Sequence, residues 1–135
     1  MSYRNLVVGG ICLGLVAVGC SSARDVEVSG KVTAPSTVTT GDKIAVQFLD
    51  VVGEGTDAKT ELAQTAELKA LGDFKQTVPL EGNEVIVRAI DDRDGNGKCT
   101  EGEAWGETQA KVTDDKAEAV SLALAVAKCP AEAAE

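Results

Sequence analysis

Glu84-Val85-Ile86-Val87-Arg88-Ala89-Ile90 is the stretch on which the fold turns. It places Val85, Val87 and Ala89 on one side, which is the period of a half-buried strand. Glu81-Gly82-Asn83 forms a turn before it, and a glycine-rich stretch, 93–106, follows. The same pattern repeats outward in both directions. Upstream, Phe74 to Leu80 alternates with Phe74, Gln76 and Val78 on one face, and Pro79 marks an edge or an end. Leu71-Gly72-Asp73 reads as the turn leading into it. Thr60 to Lys69 admits two readings, a helix through Ala63, Ala66 and Ala70 or a strand face of Leu62, Gln64, Ala66 and Leu68; its neighbours favour the strand. Residues 50–58 read as a loop. Lys43 to Leu49 alternates after a Gly41-Asp42 turn, and Asp25 to Thr33 puts Val26, Val28 and Val32 on one side before Pro35. Downstream, Glu107 to Val112 alternates weakly. Ala119 to Val126 then directs Val120, Leu122, Leu124 and Val126 to the core, and Pro130 stops it. Seven short strands separated by turns predict an all-β fold, an antiparallel β-sandwich over residues 25–129 with a frayed polar tail at 130–135.

Leu71-Gly72-Asp73-Phe74, Val78-Pro79-Leu80 and the run Asp91 to Gly106 resemble small bacterial Ig-like or transthyretin-like β-sandwich modules. The resemblance covers roughly 40 residues. It implies a mostly non-catalytic module. The transthyretin-like enzymes of purine degradation depend on histidines, and this chain has none.

Within that run, Asp92 opens the pattern D-x-D-x-N-G-x-x-x-x-x-E, which resembles the calcium loop of an EF-hand. The resemblance implies side-chain oxygens from Asp92, Asp94 and Asn96, a sharp turn at Gly97, the backbone carbonyl of Lys98 and a bidentate Glu103. Calcium needs 6–8 oxygen ligands; the loop supplies most of them and water the rest. The pattern departs from an EF-hand in following a strand and in placing Cys99 where an aliphatic residue is usual. The same residues also suit an acidic turn whose Asp and Asn side chains cap their own backbone. Any calcium here is expected to be structural. Trp105 beside the loop is read either as a core residue or lid, or as a platform for a ligand such as a glycan.

The N-terminus carries Arg4, then an apolar segment from Leu6 to Gly19, then Cys20. A basic start, an apolar run and small residues before the cut describe a secretory signal peptide. Ala17-Val18-Gly19-Cys20 followed by Ser21-Ser22 resembles the lipobox of bacterial lipoproteins, with alanine where leucine is usual. The resemblance implies a signal peptide over 1–19, acylation of Cys20 (palmitate among the chains) and a short tether over 20–24. It also implies a lipid-anchored place in the cell envelope. Serine after the cysteine resembles proteins sent to the outer membrane of Gram-negative bacteria. Cys99 and Cys129 are then the remaining thiols. In an oxidising compartment they most simply pair, closing about 30 residues for roughly 3–4 kcal/mol. Two buried free thiols or half of a metal site are the alternatives.

After Gly19 the chain carries 12 basic and 22 acidic residues, a net charge of −10. Such a surface repels nucleic acid and anionic headgroups and suits cations. Aromatic content of 3% leaves few rings for stacking. With no histidine, the usual general base and the Ser-His and Cys-His pairs are missing. Carboxylates such as Asp91 and Glu101 remain, without a visible nucleophile–base pair. The expected function is therefore a membrane-anchored, monomeric, non-enzymatic interaction module of the envelope, stabilised by calcium and docking another envelope protein. The second reading is a glycan or small-ligand module using Trp105 and the calcium loop.

Overall fold

The computed structural model describes residues 23–130. It has nine strands: β1 Arg24–Thr33, β2 Ile44–Val52, β3 Lys59–Leu68, β4 Gly72–Leu80, β5 Glu84–Asp91, β6 Ala104–Thr113, β7 Lys116–Ala117, β8 Val120–Ala123 and β9 Ala125–Val126. A short 3-10 turn, Gly55–Asp57, lies between β2 and β3, and there is no α-helix among the described residues. No helix there is long and apolar enough to cross a membrane. The signal peptide, the lipobox at 17–20 and Cys20 fall outside the described residues, and nothing in the fold supports lipidation or membrane anchoring.

The antiparallel sandwich of Ig-like or transthyretin-like type does not form. Backbone hydrogen bonding links all nine strands into one sheet in the order β3-β2-β5-β6-β7-β1-β4, with β8 added beside β1 and β9 beside β6. No second sheet is present among the described residues. The reason lies in the two residues of β7. Lys116-Ala117 pairs antiparallel with β6 on one side and parallel with β1 on the other, so it joins what would otherwise be two sheets. Side-chain periodicity reports which residues face the core; it does not report which backbone edges meet.

Both arms of the sheet, on either side of β7, contribute to one apolar cluster. Val26, Val28 and Val32 enter from β1, Ile44, Val46 and Phe48 from β2, Phe74 and Val78 from β4, and Val85, Val87 and Ala89 from β5. Phe48 and Phe74 meet edge to face with 6.0 Å between ring centroids. Of Thr60–Lys69, all but Lys69 is strand, as its neighbours suggest, and β3 pairs with β2 from Ile44↔Leu68 to Val52↔Lys59.

The terminal segment is less regular than its alternation predicts. β8 pairs parallel with β1 from Gly30↔Val120 to Thr33↔Ala123. The Leu124 N–H still donates to Thr33 O at 2.9 Å, and the chain then crosses to β6, where Ala125 pairs with Trp105. Val120, Leu122 and Leu124 are buried, but Val126, expected in the core, is 63% exposed. Glycine permits the crossing. A Cβ on Gly30 would lie 2.4 Å from Val120 Cγ2, and one on Gly106 would lie 2.5 Å from Ala123 O.

At one end of the sheet, Arg24 binds the β4–β5 turn. Its guanidinium donates to Glu81 O at 3.3 Å, Gly82 O at 3.1 Å and Asn83 Oδ1 at 3.3 Å, and pairs with Asp115 at 2.9 Å. The buried Asp50 carboxylate accepts the Glu81 and Gly82 N–H groups at 2.7 and 3.0 Å. The other end of β5 opens into residues 92–103.

Candidate metal centre

β5 ends at Asp91 and β6 begins at Ala104, so residues 92–103 form a long connection held at both ends by the sheet. Its root is clamped. Asp91 is 1% exposed and accepts the Gly41 N–H at 3.0 Å and the Arg93 Nε–H at 3.0 Å, while the Arg93 guanidinium also donates to Thr39 O. The Asp92 N–H donates to Lys43 O at 3.0 Å. Asp91 is thus a structural clamp.

The middle of the connection is held from beneath. β2 and β5 bury polar side chains at Gln47 and Arg88 on the face opposite Phe48. Glu107 accepts Arg88 Nε–H at 2.8 Å, Arg88 Nη1 donates to Gln47 Oε1 at 3.4 Å, and Gln47 Nε2 donates to Gly97 O at 3.0 Å. This relay crosses three neighbouring strands and ends on the loop backbone. Satisfied buried networks of this kind fix geometry. Sequence reading passed over it, although Gln47 and Arg88 each interrupt an otherwise apolar run.

Asp92, Asp94 and Glu103 converge. One ligand oxygen from each lies within 4.8 Å of the others, with Asp92 and Glu103 buried and Asp94 exposed. Loop N–H groups point at the same oxygens. Asp92 accepts from Asn96 at 3.1 Å and Gly97 at 2.8 Å; Glu103 accepts from Arg93 at 2.7 Å, Asp94 at 3.3 Å and Thr100 at 2.8 Å. Gly97 takes the left-handed conformation, φ 75°, which bends the chain for this contact. The Thr100 hydroxyl donates to Asp94 Oδ2 at 2.7 Å and holds that carboxyl below its ordinary value, with the Asn96 N–H adding to the effect. Thr100 is a second group the motif did not single out.

Three carboxylates this close repel one another, and the donated N–H groups oppose that repulsion. The donor set is all oxygen, the class that hard divalent cations take. These residues can coordinate a divalent cation, with the exposed Asp94 side as the route of entry. Glu103 Oε2 accepts two N–H groups, while Glu103 Oε1 and the oxygens of Asp92 and Asp94 accept one hydrogen bond each and keep lone-pair capacity. Asn96 and Lys98 are adjacent but engaged with each other: Asn96 Oδ1 accepts the Lys98 N–H at 2.8 Å, and Asn96 Nδ2 donates to Thr100 Oγ1 at 3.2 Å.

The EF-hand resemblance fails in its architecture. Its loop joins two helices, whereas this one joins β5 to β6. What survives is a carboxylate cluster on a strand-to-strand connection. Nothing in this geometry supports a ligand platform at Trp105. Trp105 lies on β6, pairs with Ala125, and donates its indole N–H to Lys128 O at 3.2 Å, so it braces the terminal segment.

Cys99 and Cys129 form a disulfide, with Cα atoms 5.7 Å apart. Beside it the Glu101 carboxylate accepts the Cys129 N–H at 3.2 Å. The loop is thereby tied to the chain beyond β9. Compared with protein-family models, curated proteins and solved structures, the chain matches none.

Proposed function

We propose that this protein is a non-catalytic, calcium-stabilised β domain of a bacterial cell envelope, held at a membrane through Cys20 and serving to dock another envelope protein. The observation that carries the cation part is the convergence of Asp92, Asp94 and Glu103 to within 4.8 Å. Calcium is favoured over magnesium because it accepts an irregular oxygen shell completed by backbone and water, whereas magnesium demands a small octahedron. The ion's role is to fix a twelve-residue connection. Support for the envelope comes from the Cys99–Cys129 disulfide, which persists in oxidising compartments, and from the basic-apolar-Cys20 leader. Support for a non-catalytic role comes from the absence of histidine and from the structural duties of Asp91 and Glu101.

The test is calcium titration by calorimetry, with melting curves in calcium and in chelator. Binding accompanied by a raised melting temperature, both lost in Asp94→Ala, is the expected result. No heat and no shift at millimolar calcium would reduce the connection to a self-capped acidic turn.

A further inference from the structure

We infer that the Cys99–Cys129 disulfide is a redox latch for the terminal segment, whose reduction frees residues 125–130 while the sheet stays folded. The segment divides sharply at Leu124. Up to that point it is held by burial, with Val120, Leu122 and Leu124 at 7%, 1% and 0% exposure. Beyond it, residues 125–128 are all exposed. What fastens it there is the two-residue pairing of β9 with Ala104 and Trp105, the indole bond to Lys128 O, the Glu101 bond to the Cys129 N–H, and the disulfide itself. Exposed hydrogen bonds exchange readily with water, so a segment with this little burial opens at small cost once its covalent tie is cut.

The step is a thiol–disulfide exchange. A dithiol reductant gives up two electrons and two protons, the Cys99–Cys129 bond becomes two thiols, and the reductant closes its own disulfide. Release uncovers the β6 edge at Ala104 and Trp105. It also removes Val126, which forms one wall of a groove that includes Val38, Asp91, Arg93 and Ala104. The inference does not depend on a bound cation.

The chain's single tryptophan is the reporter. The full-length protein is treated with dithiothreitol without denaturant, and alkylation of Cys99 and Cys129 is mapped by mass spectrometry. Trp105 emission is expected to shift to longer wavelength. Hydrogen exchange at 104–105 and 125–126 should accelerate at least about tenfold while 26–28 and 85–89 keep their protection. A variant combining Cys99→Ser with Cys129→Ser should show this state without reductant and no response to it. Unchanged emission and exchange after both cysteines are alkylated would overturn the inference. So would loss of protection in the core strands of the reduced wild type, which would make the disulfide a staple of the whole domain; that reading also decides the matter if the double variant fails to fold.

Discussion

At the scale of single residues, the turn between β6 and β7 is held by two side-chain-bearing residues in the left-handed region. Asp114 has φ 54° and Asp115 φ 61°. A two-residue hairpin turn of this hand favours glycine or asparagine, and aspartate tolerates it at a cost. Asp115 offsets its cost by accepting Arg24 Nε–H at 2.9 Å and by presenting its carbonyl to the Glu27 N–H at 3.0 Å. The Asp114 side chain makes no such hydrogen bond among the described residues. Asp114→Gly should therefore raise stability by up to about 1 kcal/mol, checked by urea unfolding at neutral pH. A fall in stability would mean that Asp114 makes a contribution its backbone conformation conceals. The same scale explains the loop. Spacing alone announced Asp92, Asp94 and Glu103 because metal-loop geometry is local. Thr100, whose hydroxyl lowers the pKa of Asp94, was not singled out because it is no part of the pattern.

Among the elements, the decisive one is the segment from Lys116 to Val126, which bonds to β1 and β6 in turn. Its closeness to both neighbours makes a plain prediction. Gly106→Ala would put a Cβ 2.5 Å from Ala123 O, backbone that cannot rotate away, and should cost about 1–3 kcal/mol. Thermal unfolding of the variant checks this. A loss near zero would show that the strip slides along β6 without penalty. Most strands were legible in the alternation of Val26, Val28 and Val32, of Val85, Val87 and Ala89, and of Val120, Leu122 and Leu124, because each buries one face. The architecture was not. Lys116-Ala117 is too short to carry any period, yet it decides that there is one sheet. Val126 continues an apolar alternation and still faces solvent, since the strand changes partner after Leu124. Gln47 and Arg88 were visible as polar interruptions, but only the sheet order shows that they line up with Glu107 beneath Gly97.

For the molecule as a whole, the first strand is a partner of the next to last, β8: Gly30 pairs with Val120 and Thr33 with Ala123. β1 also pairs with β4, from Arg24↔Leu80 to Val32↔Gly72. Contacts between residues so distant in sequence form only after large loops close, and such topologies fold on the millisecond-to-second scale. Stopped-flow refolding with the disulfide intact, followed by Trp105 emission, should fall within that range; microsecond folding would mean that a local subset of strands is sufficient. The clasp of Arg24 on the Glu81–Asn83 turn has one more consequence. It places the point where residues 1–22 join the domain beside the start of β5, while the carboxylate connection leaves from the end of the same eight-residue strand. Strand geometry separates the two by roughly 25 Å. The domain therefore has a polarity, with a root and a tip: whatever fixes the chain at its root, the cation-loving tip is held out at arm's length from it.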